Sequence, residues 1–438
     1  MSDDRFPADE DGDAGLTRRA WLASGTALLG SGLLAGCLGD GDGTETPAGE
    51  TPTGTDSQAD PTATATPTES TTPTDETATQ TDQQDGDEDA GEYSVSMAPM
   101  GEVPFEETPE DIFTIMNPYA EMALALGRGD DVNAVYAVEY TNSLMDAITA
   151  PLDGVSVDWS DCYDSWNPSK EKLYDLDSDV HLADPAHVVT MGKWERADVE
   201  EVAERVAPWF GNKFSAEHAT PPEAYADSYE YYTLWETFGH VASVLREQER
   251  YEALRREHEA LVATIREGLP PESERPTVTM VLPSTSNDTM WVYDVNGPGY
   301  HAAHTRPLGA VDAFADDDAV GSGTQIDYEG LLEADPDVLV ILGGIVDDHD
   351  MPAIRETLAE DPVASAVSAV RNDRIYAQGG RHQGPLMNLF QLEMGAKQLY
   401  PEQFGTWPRY ESGPYPDLSA DEQLFDHHRV AGTITGDR

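Results

Sequence analysis

Cations are scarce in this 438-residue chain: 25 Lys and Arg, only five of them Lys, stand against 84 Asp and Glu, for a formal charge of −59. A field of that sign excludes nucleic acid and anionic membrane surfaces as general partners, because both are polyanions. In dilute buffer such self-repulsion destabilises a compact state. In concentrated salt it is screened within a few ångströms while the carboxylates keep the surface hydrated. The composition therefore reads as that of a halophile's extracytoplasmic protein.

Cysteine is scarcer still. Cys37 and Cys162 are the only two, which excludes a disulfide framework, and Cys162 has no evident base beside it and reads as structural. Long apolar runs are missing as well. The best candidate, Trp21 to Ala35, is interrupted by Gly25, Gly30 and Gly32, too short and too glycine-rich for a membrane span. There is no G-x-S-x-G elbow, no H-E-x-x-H and no Walker loop, so the chain is read as a non-enzyme. Eight Trp and 18 Tyr in turn exclude a wholly disordered acidic chain.

What is present begins with an address. Arg18 and Arg19 form a twin-arginine pair ahead of that apolar stretch, which ends in Leu34-Ala35-Gly36-Cys37. This order looks like a lipoprotein signal over residues 1–37, with Cys37 taking the lipid after twin-arginine export. Residues 38–92 are a Thr, Asp, Glu, Pro, Gly and Gln tract with almost no large apolar side chain. Such a tract buries too little surface to offset its ordering entropy and reads as a disordered stalk. The protein is thus expected on the outer face of the cell membrane, held by lipid alone.

From Tyr93 onward short apolar runs alternate with amphipathic stretches, the pattern of an α/β fold. Strands are expected at Ile112–Met116, Val132–Val138, Val180–Ala183, Val188–Met191, Thr277–Leu282, Val338–Leu342 and Arg374–Ala377. Between the two groups, Leu234, Phe238, Val241 and Leu245 share one helix face, and Tyr251, Leu254, Leu261 and Ile265 continue a second up to Pro270-Pro271. A helix of that length reaches about 30 Å, enough to join two lobes. The segments Asn167–Val180 and Ile326–Val338 repeat one unit: a cap, a short helix opening on a Glu, a turn with Asp, and a buried strand.

These two units resemble one found twice in the periplasmic binding proteins that serve iron-siderophore, haem and cobalamin ABC importers. Asn117-Pro118-Tyr119-Ala120-Glu121-Met122-Ala123-Leu124-Ala125-Leu126-Gly127 resembles that family's opening helix, and Arg371-Asn372-Asp373-Arg374-Ile375-Tyr376 its penultimate turn and strand. The resemblance runs from about Phe105 to Phe404. It implies a class III substrate-binding protein: two Rossmann-like lobes, residues 93–245 and 271–406, joined by a single long helix over residues 246–270. Three departures stand out. Ser178 replaces the usual Pro, the segment Pro208–Asp227 is longer than expected, and residues 407–438 form a tail without a match.

In open α/β sheets ligands meet the loops beyond the C-terminal strand ends. Those loops supply Asn117, Tyr119, Tyr140, Trp166 and His187 from the first lobe, and Trp291, Tyr293, Arg306, Arg381 and His382 from the second. Aromatic walls with one or two Arg suit a large, flat or chelated anion; core packing and surface ion pairing are the plain alternatives for the same residues. His301 with His304, and His181 with His187, have spacings that could hold a metal, but the opening loop lacks a His, and neither metal nor cofactor is assigned. The resemblance further implies that Glu171 and Glu329 dock on an importer's membrane subunits, with helix-dipole stabilisation as the simpler role. A monomer carrying a siderophore-type ferric chelate to a permease and its ATPase is the reading reached. Cobalamin or haem is the alternative within the family, and a secreted α/β hydrolase or redox lipoprotein the alternative outside it.

Overall fold

The computed structural model describes residues 91–284, 288–317, 319–345 and 350–437; Arg18, Arg19, Cys37 and residues 38–90 of the expected stalk lie outside them. The described chain opens with a hairpin, β1 (Tyr93–Met97) and β2 (Gly101–Phe105), whose inward residues Val95, Met97, Val103 and Phe105 join the core.

The first lobe is a parallel sheet in the order β5-β4-β3-β6. In chain order it comprises β3 (Ile112–Thr114), helix α1 (Asn117–Ala125), β4 (Val132–Val135), α2 (Val138–Thr149), β5 (Tyr163–Asp164), α3 (Lys170–Leu176), β6 (Val180–Leu182) and α4 (Pro185–Val188). β3 and β6 are buried at every residue, as expected of strands covered on both faces. The strand order reverses beside β3, so the loops after β3 and β6 flank the crevice where such sheets take ligands.

One expected strand is not there. Val188–Met191 lies at the end of α4 and in the turn after it. The Asp184 carboxylate accepts the Ala186 amide at 2.7 Å with Pro185 at the first helical position. That cap and that proline start a helical turn where hydrophobicity alone suggested extension.

Beyond a short helix α5 (Phe214–Glu217), the chain enters α6 (Leu234–Val244) and then α7 (Gln248–Gly268). Thr233 caps α6 in a reciprocal box with Glu236. The 21-residue α7 buries Leu254, Leu261, Val262 and Ile265 along one stripe and stops before Pro270-Pro271. It is the connecting helix expected over residues 246–270.

The second lobe has its own sheet, β10-β8-β7-β11-β12, with β9 beside β7. Its members are β7 (Thr277–Pro283), β8 (Thr289–Tyr293), β9 (Val311–Asp312), β10 (Thr324–Asp327), helix α8 (Tyr328–Ala334), β11 (Val338–Ile341), α9 (Met351–Glu360), β12 (Ile375–Ala377) and α10 (Pro385–Leu399). β7, β11 and β12 run parallel, and β8 is antiparallel to β7. Two sheets, not one continuous sheet, carry the two lobes.

The duplicated unit is present in atomic detail. Ser169 caps α3 by accepting the Lys172 amide, and Asp327 caps α8 by accepting that of Gly330. Each helix has seven residues and ends on an Asp in the left-handed region, Asp177 at φ 49° and Asp335 at φ 40°. That conformation, which Asp tolerates better than most residues, turns the chain into the buried strands β6 and β11.

Helix α10 is buried along its whole length and packs against α1, α2 and α7. Several of its polar side chains find partners at this depth. Lys397 donates to the Phe404 carbonyl at 2.7 Å, and Gln398 donates to that of Ala377 at 2.9 Å. The residues after Phe404 continue the core. Trp407, Tyr410, Tyr415, Phe425 and Val430 are buried, and α11 (His427–Thr435) lies on the connecting helix α7. Among the described residues no helix is long and apolar enough to cross a membrane.

Candidate functional site

The loops after β6 and β12 bring the chemistry together. On the first lobe, Asp184 is 2% exposed and binds the long segment that follows. Its second carboxylate oxygen accepts the Lys213 amide at 2.7 Å and the Tyr229 hydroxyl at 2.6 Å. Burial, opposed by these bonds, pushes its carboxyl up to about 6. Fixing the backbone at Lys213 places an ion-paired ammonium near the histidines of the facing loops. Its ammonium pairs with Glu217 at 3.1 Å, and its charge is felt at His187, His301 and His382. His187, one turn into α4, keeps a partly open face, yet burial and then Lys213 bring its ring down to about 3.

On the second lobe, Arg381 lies over Tyr293 with its guanidinium carbon 4.3 Å from the ring centroid. The same group is 3.3 Å from Nδ1 of His301, and Nε2 of His301 is 3.1 Å from Nδ1 of His382. An arginine only donates, so His301 accepts at Nδ1, carries its proton on Nε2 and donates to His382, whose own proton then sits on Nε2. Burial first, then neighbouring imidazole and cationic groups, holds both rings well below the ordinary histidine range. The wall therefore has fixed tautomers, with cations confined to Arg381 and Lys213. Gln383 is the brace behind it. Its amide donates to His304 at 2.7 Å and to the carbonyls of Tyr300 and His301, while its oxygen accepts from Asn388 at 2.9 Å.

The two lobes meet at this wall. Gly299 abuts α5 so closely that a Cβ there would stand 2.2 Å from the Ala216 carbonyl oxygen. Beside that contact is a cavity of about 160 Å³ lined by Glu217, Asp294, Gly297, Gly299, His301 and Arg381 among others. Small-molecule pockets are typically about 300–1,000 Å³, so a chelate needs α5 and the facing loop to part. A larger open depression, about 550 Å³, is lined by Glu272, Asp294, Asp312 and Asp317 with no cation among its lining residues, whereas the smaller cavity sets Arg381 against Glu217 and Asp294. Among the described residues no cluster of three or more His, Cys, Asp or Glu could hold a metal ion.

Of the residues expected in the cleft, His187, Tyr293, Arg381 and His382 belong to this assembly. Tyr140 approaches it, its hydroxyl 3.7 Å from where a Cβ on Gly380 would be. Asn117 and Tyr119 do not present free polar groups to it. α1 starts at Asn117 and draws both into the core, where Asn117 accepts the Thr141 hydroxyl at 3.2 Å and Tyr119 accepts the Asn212 amide at 2.6 Å. Arg306 is spent on the backbone, donating to the carbonyls of Gly297 and Gly299. Trp166 is 40% exposed and stacks on Tyr136 at 5.0 Å, and Trp291 is half-buried on β8. Glu171 and Glu329 are exposed in the first turns of α3 and α8. Asp184 and His301, the latter read above as half of a possible metal pair, also belong to the wall, and Lys213 completes it without having been singled out. The one sequence signal for Lys213 was its rarity, a lysine within an aromatic insertion of a chain that has five.

No curated protein matches the chain. Solved structures do resemble it. A periplasmic binding protein from Veillonella parvula DSM 2008 is 13% identical, with 75% of this chain and 95% of that one covered at a TM-score of 0.52. A periplasmic solute binding protein from the same organism is 16% identical, with 79% and 99% covered at 0.50. An ABC-type Fe3+-hydroxamate transport system from Saccharomonospora viridis DSM 43017 is 21% identical, with 70% and 96% covered at 0.45. At these identities the two Veillonella likenesses speak to the fold alone, and they agree with the two sheets and joining helix described above. The sequence model of the periplasmic binding proteins matches residues 119–381, from the opening helix through the arginine of the cleft wall, and the chain belongs to that family.

Proposed function

We propose that this protein captures an anionic ferric chelate of the siderophore type between its lobes and hands it to an ABC permease and ATPase. The observation that carries the reading is the Arg381–Tyr293 stack, backed by neutral His301 and His382 and faced by Lys213. In a chain of −59, the Arg381 cation in the cavity wall, with the Lys213–Glu217 pair nearby, forms a localised attraction for an anion, strengthened by the low dielectric around it. Planar guanidinium and aromatic surfaces suit the flat, charge-delocalised faces of a catecholate or carboxylate chelate. Membership of a family of binding proteins supports binding rather than turnover as the chemistry of this wall. The Arg18-Arg19 pair and Cys37 support export through the twin-arginine route and tethering by lipid, with residues 38–92 as the stalk.

The test is a titration of the purified protein in molar salt with a ferric tris-catecholate, a ferric tris-hydroxamate, cobalamin, haem and bare divalent ions, read by tryptophan fluorescence and calorimetry. The trianionic catecholate should bind most tightly. Tight binding of cobalamin or haem alone would redirect the reading within the family. Binding of none, together with hydrolysis of an ester or peptide, would overturn it. For the anchor, Cys37→Ser should release the protein into the medium; retention on the membrane would refute lipidation.

A further inference from the structure

The loop that carries Arg381 and His382 leaves β12 in the second lobe and runs straight into α10. The N-terminus of that helix is met by a side chain from the other lobe. Glu121, on α1, is 0% exposed. One carboxylate oxygen accepts the Gly384 amide at 2.8 Å and the other accepts the Met387 amide at 2.6 Å. Position 384 has to be glycine, since a Cβ there would sit 2.6 Å from the Glu121 carboxyl carbon. Next to this contact, Trp235 donates to Asn388, Asn388 donates to Gln383, and Gln383 holds His304 and the backbone at His301. The ligand-facing loop is thus gripped at its C-terminal end by the opposite lobe.

We propose that Glu121 is a positioning residue for ligand capture, a latch whose ionised carboxylate holds the Arg381–His382 loop in its binding orientation. An ionised carboxylate accepts both amides. Once protonated, one oxygen bears a hydrogen and that side of the grip is lost. Burial, opposed by the amides of Met387, Gly384 and Leu386, pushes the Glu121 carboxyl up to about 7, which places the change near neutrality. The charged groups on the elements packed against α1 and α10 include Asp130 and Asp131 in the turn beside α1, Glu139 and Asp146 on α2, Glu236 and His240 on α6, and Glu393 and Lys397 on α10. Each of the two Glu121 carboxylate oxygens is taken by a backbone amide. Within the cleft, Asp184 also titrates at about 6, so the latch is identified by comparing variants at each pH.

The ligand arm rests on the proposed chelate-binding function, whereas a second arm needs no ligand. In Glu121→Gln one side still accepts an amide, and the other turns an N–H against its partner. Affinity for the ferric tris-catecholate should fall about tenfold at about pH 8, with the wild-type to variant ratio closing toward one at about pH 6. Without ligand, amide hydrogen exchange over residues 380–388 should be about tenfold faster in the variant at about pH 8 and equal at about pH 6. Thermal stability should move in the opposite sense. A carboxyl raised in the folded state costs stability as pH climbs from its unfolded to its folded value, so the variant gains relative to wild type from about pH 4.5 to about pH 7 and the difference then levels off. A ratio of affinities that is flat with pH, or unchanged exchange over residues 380–388, would overturn the latch. If the wild-type protein binds no chelate, the function proposed above fails, and the exchange arm alone decides the latch.

Discussion

Arg381 stacks on Tyr293 and hydrogen-bonds His301 with the same guanidinium, so one planar cation is fixed by two contacts at right angles in function: a face and an edge. Lysine reproduces the charge but neither contact. Arg381→Ala should weaken a trianionic chelate by about 100-fold, the scale of a lost charge-assisted bond, and Arg381→Lys by about tenfold. Tyr293→Leu, which keeps the cation and removes the platform, should fall between wild type and Arg381→Ala. Calorimetric titration of the three variants checks the order. Equal affinity in Arg381→Ala would place the ligand elsewhere.

Glu171 and Glu329 occupy matching positions, exposed in the first turn of matching capped helices. Both are exposed, and facing a helix dipole from solvent is a weak stabilisation, so reversing both leaves the lobes folded. If they orient the protein on its permease, Glu171→Arg combined with Glu329→Arg should abolish uptake in cells while chelate affinity stays within about twofold of wild type. Uptake assays beside titrations decide it. A loss of affinity would move these residues from the docking face into the cleft.

What the sequence discloses is local. The duplicated unit was legible because each of its parts, the Ser169 or Asp327 cap and the left-handed Asp177 or Asp335, acts within a few residues. The connecting helix was legible for the same reason, from its apolar stripe and the prolines after it. The error at Val188–Met191 is local as well, a capped proline turn outweighing hydrophobic residues. The wall of the cleft was legible only in part. Arg381 stood out by rarity, but the bonds from Asp184 to Lys213 and from His301 to His382 join segments distant in sequence. Asn117 and Tyr119 were placed on a loop because the start of α1 could not be fixed to the residue, and one turn of helix carries them into the core.

Acid should destabilise the protein through its buried imidazoles. Burial brings His181 and His258 down to about 4 and His187 and His304 down to about 3. A histidine whose folded value is depressed takes up its proton more readily when unfolded, so the stability it contributes is complete above about pH 6.5 and is lost as pH falls. Between about pH 6.5 and about pH 5 each such ring should cost roughly 2 kcal/mol. Glu121 and Asp184, raised to about 7 and about 6, act in the opposite direction and offset part of the loss. The melting temperature should therefore fall on acidification, and His181→Leu should reduce the fall. A melting temperature that rises between about pH 6.5 and about pH 5 would show that the rings are not held neutral.

Residues 407–437 are fastened to both lobes and to the helix between them. Arg355 on α9 donates to the Tyr410 carbonyl at 2.8 Å, and the Tyr415 amide donates to Ala147 at the end of α2, also at 2.8 Å. The Tyr415 hydroxyl donates to Glu393 in the middle of α10, and Arg429 pairs with Glu257 on α7 at 2.6 Å. Tyr415 is 2% exposed and lies against Phe390 and Trp407. Tyr415→Ala should cost about 3–5 kcal/mol by emptying that site, and Tyr415→Phe about 1–2 kcal/mol by leaving the buried Glu393 one donor short. Arg429→Ala removes an ion pair whose arginine side is largely exposed and should cost under about 1 kcal/mol. Denaturant unfolding in molar salt measures all three. Were Tyr415→Ala no more costly than Arg429→Ala, the segment would be a loose appendage and not part of the core.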